Sequence, residues 1–143
     1  MKKILICLVL TFGLPTSALA QSTIGADEFM EYLSLNSAIC SAYYNRMAVC
    51  PERRPQPQAQ ELSVAMHNMS RLMLVAAVNL SEPDATLETV QAASNYLDVR
   101  LTDNCIDMYP IHVEMEEDCT GTYNYISGLV RDFGLQWQNF SLE

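Results

Sequence analysis

From Asp27 to about Val49 one face of the chain carries Phe29, Tyr32, Leu33, Asn36, Ile39, Cys40, Tyr43, Met47 and Cys50. Steps of three and four residues predict an amphipathic helix. Asp27, Glu28 and Glu31 suit its positive end, and Pro51 is expected to close it. Pro51, Pro55 and Pro57 then predict an extended linker over 51–58, because proline cannot sit in a helix interior. A second helix is expected from about Gln58 to Leu80, with Leu62, Met66, Met69, Met73, Ala76 and Leu80 in a heptad-like stripe.

Ser81-Glu82-Pro83-Asp84 combines an N-cap, a first-turn proline and an acidic N3. It starts a third helix, expected to reach Met108 through Leu87, Val90, Ser94, Leu97, Leu101 and Cys105, with Pro110 as its breaker. A fourth helix, in one or two pieces, is expected from His112 to Phe140. Its stripe is Met115, Cys119, Thr122, Ile126, Leu129 or Val130, Phe133, Trp137 and Phe140. Gly121, Gly128 and Gly134 weaken it, Gly121 being the favoured break. No period-2 run or repeat is present. The pattern predicts an all-α fold, a four-helix bundle stabilised by disulfides.

The N-terminus changes the composition. Met1-Lys2-Lys3, an apolar run from Ile4 to Leu14 and Pro15-Thr16-Ser17-Ala18-Leu19-Ala20 make up a secretory signal peptide over 1–20. The expected product is a single α-helical domain, 21–143, in the periplasm. Gln21, not Cys, follows the cleavage site, unlike a lipoprotein. Lys2 and Lys3 are the only lysines, so residues 21–143 hold six arginines against 17 carboxylates, a net −11. That charge argues against nucleic acid and anionic membrane surfaces. No segment beyond the leader is long and apolar enough to insert in a membrane.

Without Cys7, four cysteines remain: Cys40, Cys50, Cys105 and Cys119. In an oxidising compartment they are expected to form two disulfides. Cys40 and Cys50 lie on one predicted helix, about 15 Å apart along its axis, beyond the roughly 7 Å reach of a disulfide. That excludes Cys40–Cys50 and its complement, and two connectivities survive. Heights in an up-down bundle favour Cys40–Cys119 nested around Cys50–Cys105. The longer loop would contribute about 4 kcal/mol in the chain-entropy model.

Candidate chemistry is sparse. Met66, His67 and Met69, with Met73 a turn on, could offer soft ligands to copper or haem, yet the methionines also fill the apolar stripe as ordinary core residues. His112 lies near Pro110, in the expected connection. No C-x-x-C-H, G-x-S-x-G, H-E-x-x-H or phosphate loop occurs, so no catalytic residue, metal or cofactor is assigned. The distinctive feature is Glu114-Met115-Glu116-Glu117-Asp118, with Asp103 and Asp107 before it. A helix start accounts for such carboxylates; so does a surface that meets a basic partner. The calcium-loop pattern is missing.

Two stretches carry a family likeness. Ser37-Ala38-Ile39-Cys40-Ser41-Ala42-Tyr43 resembles the cysteine-then-tyrosine region in the first helix of type VI secretion amidase-immunity proteins. Cys105-Ile106-Asp107-Met108-Tyr109 resembles that family's Cys-Leu-Asp-x-Tyr stretch, with Tyr96-Leu97 upstream. The resemblance implies a small periplasmic helical protein that blocks a cell-wall amidase. It marks Cys40, Tyr43, Cys105 and Tyr109 as structural positions and assigns no contact surface. Pro110 stands where the family commonly has His.

The expected function is therefore binding, not catalysis. The leading expectation is an inhibitor or immunity-type protein that uses Glu114, Glu116, Glu117 and Asp118 on a basic cell-wall-active enzyme. Alternatives are an accessory or assembly factor of an envelope or secretion complex, and a Met/His metal or haem bundle. A homodimer is left open.

Overall fold

The computed structural model describes residues 25–53, 56–101 and 108–133. The expected leader, Asp103, Asp107, Cys105 and the tail with Gly134, Trp137 and Phe140 lie outside them. Four helices fill the described residues: α1 Ala26–Glu52, α2 Pro57–Leu80, α3 Pro83–Arg100 and α4 Met108–Phe133. The fold is all-α, a four-helix bundle pinned by a disulfide.

Several boundaries correct the sequence pattern. Pro51 does not close α1 but sits in its last turn, and the Arg53 amide still donates to the Val49 carbonyl, 3.3 Å. The expected linker shrinks because Pro57 is itself the first residue of α2, where the missing N–H is not needed. Glu82, not Ser81, is the N-cap of α3, with no side-chain capping bond. That helix ends at Arg100, eight residues before the expected Met108. Leu101 leaves helical geometry and is buried, while Arg46 of α1 donates to its carbonyl at 3.3 Å and pairs with Asp98 at 3.3 Å.

Met108 instead opens α4, four residues before the expected start. Pro110 falls in the first turn, where backbone amides have no helical acceptor and proline does no harm. Gly121 does not break α4. It is exposed, a Cβ there would meet nothing within 4 Å, and its cost is about 1 kcal/mol against alanine. Cys119 and Ile126, both buried, hold the helix on either side of it.

The bundle is centred on α1, which packs against each of the other three helices, while those touch one another far less. Between Ser37 and Ala48 its buried residues point all round the helix, so a single stripe describes it poorly. Tyr32, expected on the core face, is 57% exposed.

The α1–α2 contact is built from small residues at heptad spacing. The Ser34 hydroxyl donates to the Ala77 carbonyl, 3.2 Å. Seven residues on, the Ser70 hydroxyl donates to the Ser41 carbonyl, 2.9 Å, and the two hydroxyls lie 3.3 Å apart. Each hydroxyl has one proton, so Ser41 donates to Ser70 Oγ. One heptad further, Ala48 and Ser63 are both buried. A serine side chain reaches the opposite backbone only when the helices lie close together. The expected stripe of Leu62, Met66 and Met69 is thus rotated by one residue, and Ser63, Ser70 and Ala77 form the seam.

α4 runs antiparallel to α1. Cys40 and Cys119 are disulfide-bonded with Cα atoms 5.3 Å apart, the favoured pairing. The Phe29 and Tyr125 rings meet edge-on at 5.6 Å, and Tyr44 contacts both Tyr43 and Tyr123. Met73, Leu97, Ile111 and Ile126 complete the core. Cys50 is also disulfide-bonded, and its expected partner, Cys105, lies outside the described residues.

Candidate binding face on α4

The four predicted contact residues are all exposed on α4, but they do not share one side. At 100° per residue, Glu114 and Asp118 flank the core-facing line of Ile111, Met115 and Cys119 on one side. Glu116 flanks it on the other, and Glu117 points directly outward. The acidic run therefore wraps the helix.

Its two flanks have different neighbours. On the α3 side, Arg100 donates to Glu114 Oε2 at 2.5 Å and to the Tyr96 hydroxyl, which in turn donates to Glu114 Oε1 at 3.1 Å. The Arg100 guanidinium also lies 5.3 Å from the Tyr96 ring centre. The Arg100 hydrogen bond, then that of Tyr96, holds the Glu114 carboxyl below its ordinary value. Glu114 is thus committed inside the molecule.

On the α2 side, Glu116 belongs to a hydrogen-bonded chain. Tyr43, 3% exposed, places its hydroxyl 2.8 Å from His112 Nδ1, and His112 Nε2 lies 3.2 Å from Glu116 Oε2. Burial first, then Tyr44 and Glu116, pushes the Tyr43 hydroxyl up to about 12. A carboxylate oxygen only accepts, so Nε2 donates to Glu116, and Nδ1 of the neutral ring accepts from the Tyr43 hydroxyl. The chain fixes the imidazole and the carboxylate in place. Glu117 and Asp118 make no ion pair among the described residues.

Beside this flank lies a groove of about 240 Å³ lined by Met47, Cys50, Pro51, Ala59, Leu62, Met66, Met108, Tyr109 and His112. Its walls are almost wholly apolar. Leu62 is 47% exposed, and Tyr109 and Val113 on α4 are 73% and 61% exposed. A second groove of about 370 Å³ separates α3 from α4, with Ile39 of α1, Ala92, Ala93, Leu97 and Met115 among its lining residues.

The Met/His reading meets a chemical obstacle in this arrangement. Tyr43 occupies one His112 nitrogen and the Nε2 proton occupies the other, so neither offers a lone pair to a metal without breaking the chain. His67 does not line the methionine groove, and its Nε2 is 3.9 Å from Glu52. Met73 is fully buried as core. The methionine groove is also smaller than the roughly 300–1,000 Å³ of small-molecule sites. Among the described residues no three His, Cys, Asp or Glu side chains converge.

Sequence reasoning missed the Tyr43–His112–Glu116 chain and the groove. The i,i+4 spacing of His112 and Glu116 was present in the sequence, but reading Pro110 as a breaker put His112 in a connection. Comparisons with family models, with curated proteins and with solved structures found no match.

Proposed function

We propose that this is an exported binding protein of inhibitor or immunity type that engages a basic protein partner through the exposed carboxylates of α4. The observation that carries the reading is the acidic run itself, exposed around three sides of a helix that the Cys40–Cys119 bond fixes to the core. Glu117 and Asp118 have no cationic neighbour of their own among the described residues. In a chain of net charge −9, such a helix steers a basic partner into contact. The resemblance of the Cys40 and Cys105 stretches to amidase-immunity proteins supports a cell-wall enzyme as that partner.

Capture from a periplasmic extract tests this. The native protein should retain a basic partner that a Glu114→Gln, Glu116→Gln, Glu117→Gln, Asp118→Asn variant loses. Equal retention by both removes the acidic surface from the account. A retained secretion or envelope component with no hydrolase would point instead to an assembly factor.

A further inference from the structure

The two flanks of α4 are not equivalent. Glu114 is closed off by Arg100 and Tyr96. Glu116 instead lies on the α2-facing side with Tyr109 and His112, which line the methionine groove, and Glu117 points outward next to the exposed Val113. We propose that this side is a docking surface for a basic amphipathic segment of a partner protein. One apolar side chain of that segment sits between Leu62, Met66 and Met108, and its Lys or Arg residues pair with Glu116 and Glu117. The inference rests on the acidic-binder reading and narrows it to one side of one helix.

Four features of the surface fit such an occupant. A groove of about 240 Å³ matches an anchoring side chain better than a cofactor. Three flexible thioethers adapt to an incoming apolar group. Tyr109 and Leu62 at its walls and Val113 beyond them widen the apolar contact, and all three are exposed. The carboxylates are at the rim, and Tyr43 and His112 hold Glu116 in position, which lowers the ordering cost of binding.

The probe is a synthetic helical peptide with leucines on one face and lysines on the other. Its control carries serine in place of each leucine. Protein labelled at the methionine methyl groups reports the site by NMR. The leucine peptide should shift the Met66 and Met108 signals saturably and leave Met115, in the α3–α4 groove, unmoved, while the serine control shifts none. At low salt, Glu116→Gln/Glu117→Gln should weaken binding about five-fold or more, and Glu114→Gln/Asp118→Asn less than about two-fold. Both variants change exposed residues, and circular dichroism confirms that each is folded. A shift centred on Met115, or equal weakening by the two pairs, overturns the proposed side and leaves the acidic-binder reading standing. Binding of neither peptide at low salt overturns both.

Discussion

The α1–α2 seam and the α3–α4 side of the same bundle are built from opposite materials. Along the seam, Ser34, Ser41 and Ala48 face Ala77, Ser70 and Ser63, and hydroxyls bridge to the opposite backbone. Between α3 and α4 there is an open apolar groove, with Arg100, Glu114 and Tyr96 joining the helices at one end. Both helices depend on α1 for burial. One side of the molecule holds the fold together, and the other leaves helix surface available. α4 belongs to the second side, and a single covalent bond between described residues ties it to the first.

The largest test of that contrast removes the bond. Cys40→Ala/Cys119→Ala should lower the unfolding free energy by about 4 kcal/mol in denaturant titration. The α1–α2 pair should keep more of its helicity than α4. Equal loss of both would mean that α4 is as well packed as the seam.

The same substitution placed on each side gives the next largest effect. Ala48→Leu forces three heavy atoms into a fully buried seam position and should cost about 2–3 kcal/mol. Ala92→Leu enters the open α3–α4 groove and should stay within about 0.5 kcal/mol of neutral. Similar costs at the two positions would erase the distinction.

The pH dependence sharpens it further. Tyr43 binds its proton more tightly folded than unfolded, up to about 12 against an ordinary 10.0. The resulting stability is present below the ordinary value and is lost as pH rises between the two. Unfolding free energy should therefore fall over that interval, by at most about 1.4 kcal/mol per pH unit for one proton. Tyr43→Phe should flatten the slope, leaving the part due to Tyr44, whose hydroxyl burial also raises. An unchanged slope would contradict the burial of the Tyr43 hydroxyl.

The smallest effect belongs to Glu114. Its carboxyl is held below the ordinary range by Arg100 and Tyr96, so its contribution is present above that range and fades as pH falls through the lowered value. The group is exposed, and salt screens it. Glu114→Gln should slightly flatten the acid limb of the stability curve at low salt and leave it unchanged at high salt. A large loss at high salt would show that the Arg100–Glu114 pair supports the fold itself.

Much of the fold was legible in the sequence, because helical spacing survives even where boundaries move. Four helices, their order and the Cys40–Cys119 bond followed from periodicity and axial rise. The errors have a common physical root. Prolines were read as breakers, yet Pro57 and Pro110 fall in first turns, where no amide is required. The predicted stripes of α1 and α2 hold no serine, whereas Ser41, Ser63 and Ser70 are buried, Ser70 donating to the opposite Ser41 carbonyl and Ser41 to the Ser70 hydroxyl. The acidic run was found, but its division into a committed Glu114 and an available Glu116–Glu117 side was not. That division depends on which neighbours flank α4, and no spacing within one helix encodes it.

Amide hydrogen exchange, measured with and without the leucine–lysine peptide, tests the central claim most directly: the seam carries the fold and the α2-facing side of α4 carries the binding. In the free protein, amides of α1 and α2 facing the seam should exchange only through global unfolding, while those on the outer side of α4 open at lower free energy. On adding peptide, protection should rise in the first three turns of α4 and leave the seam unchanged. Uniform protection in the free protein, or a peptide response confined to α3, would contradict the account.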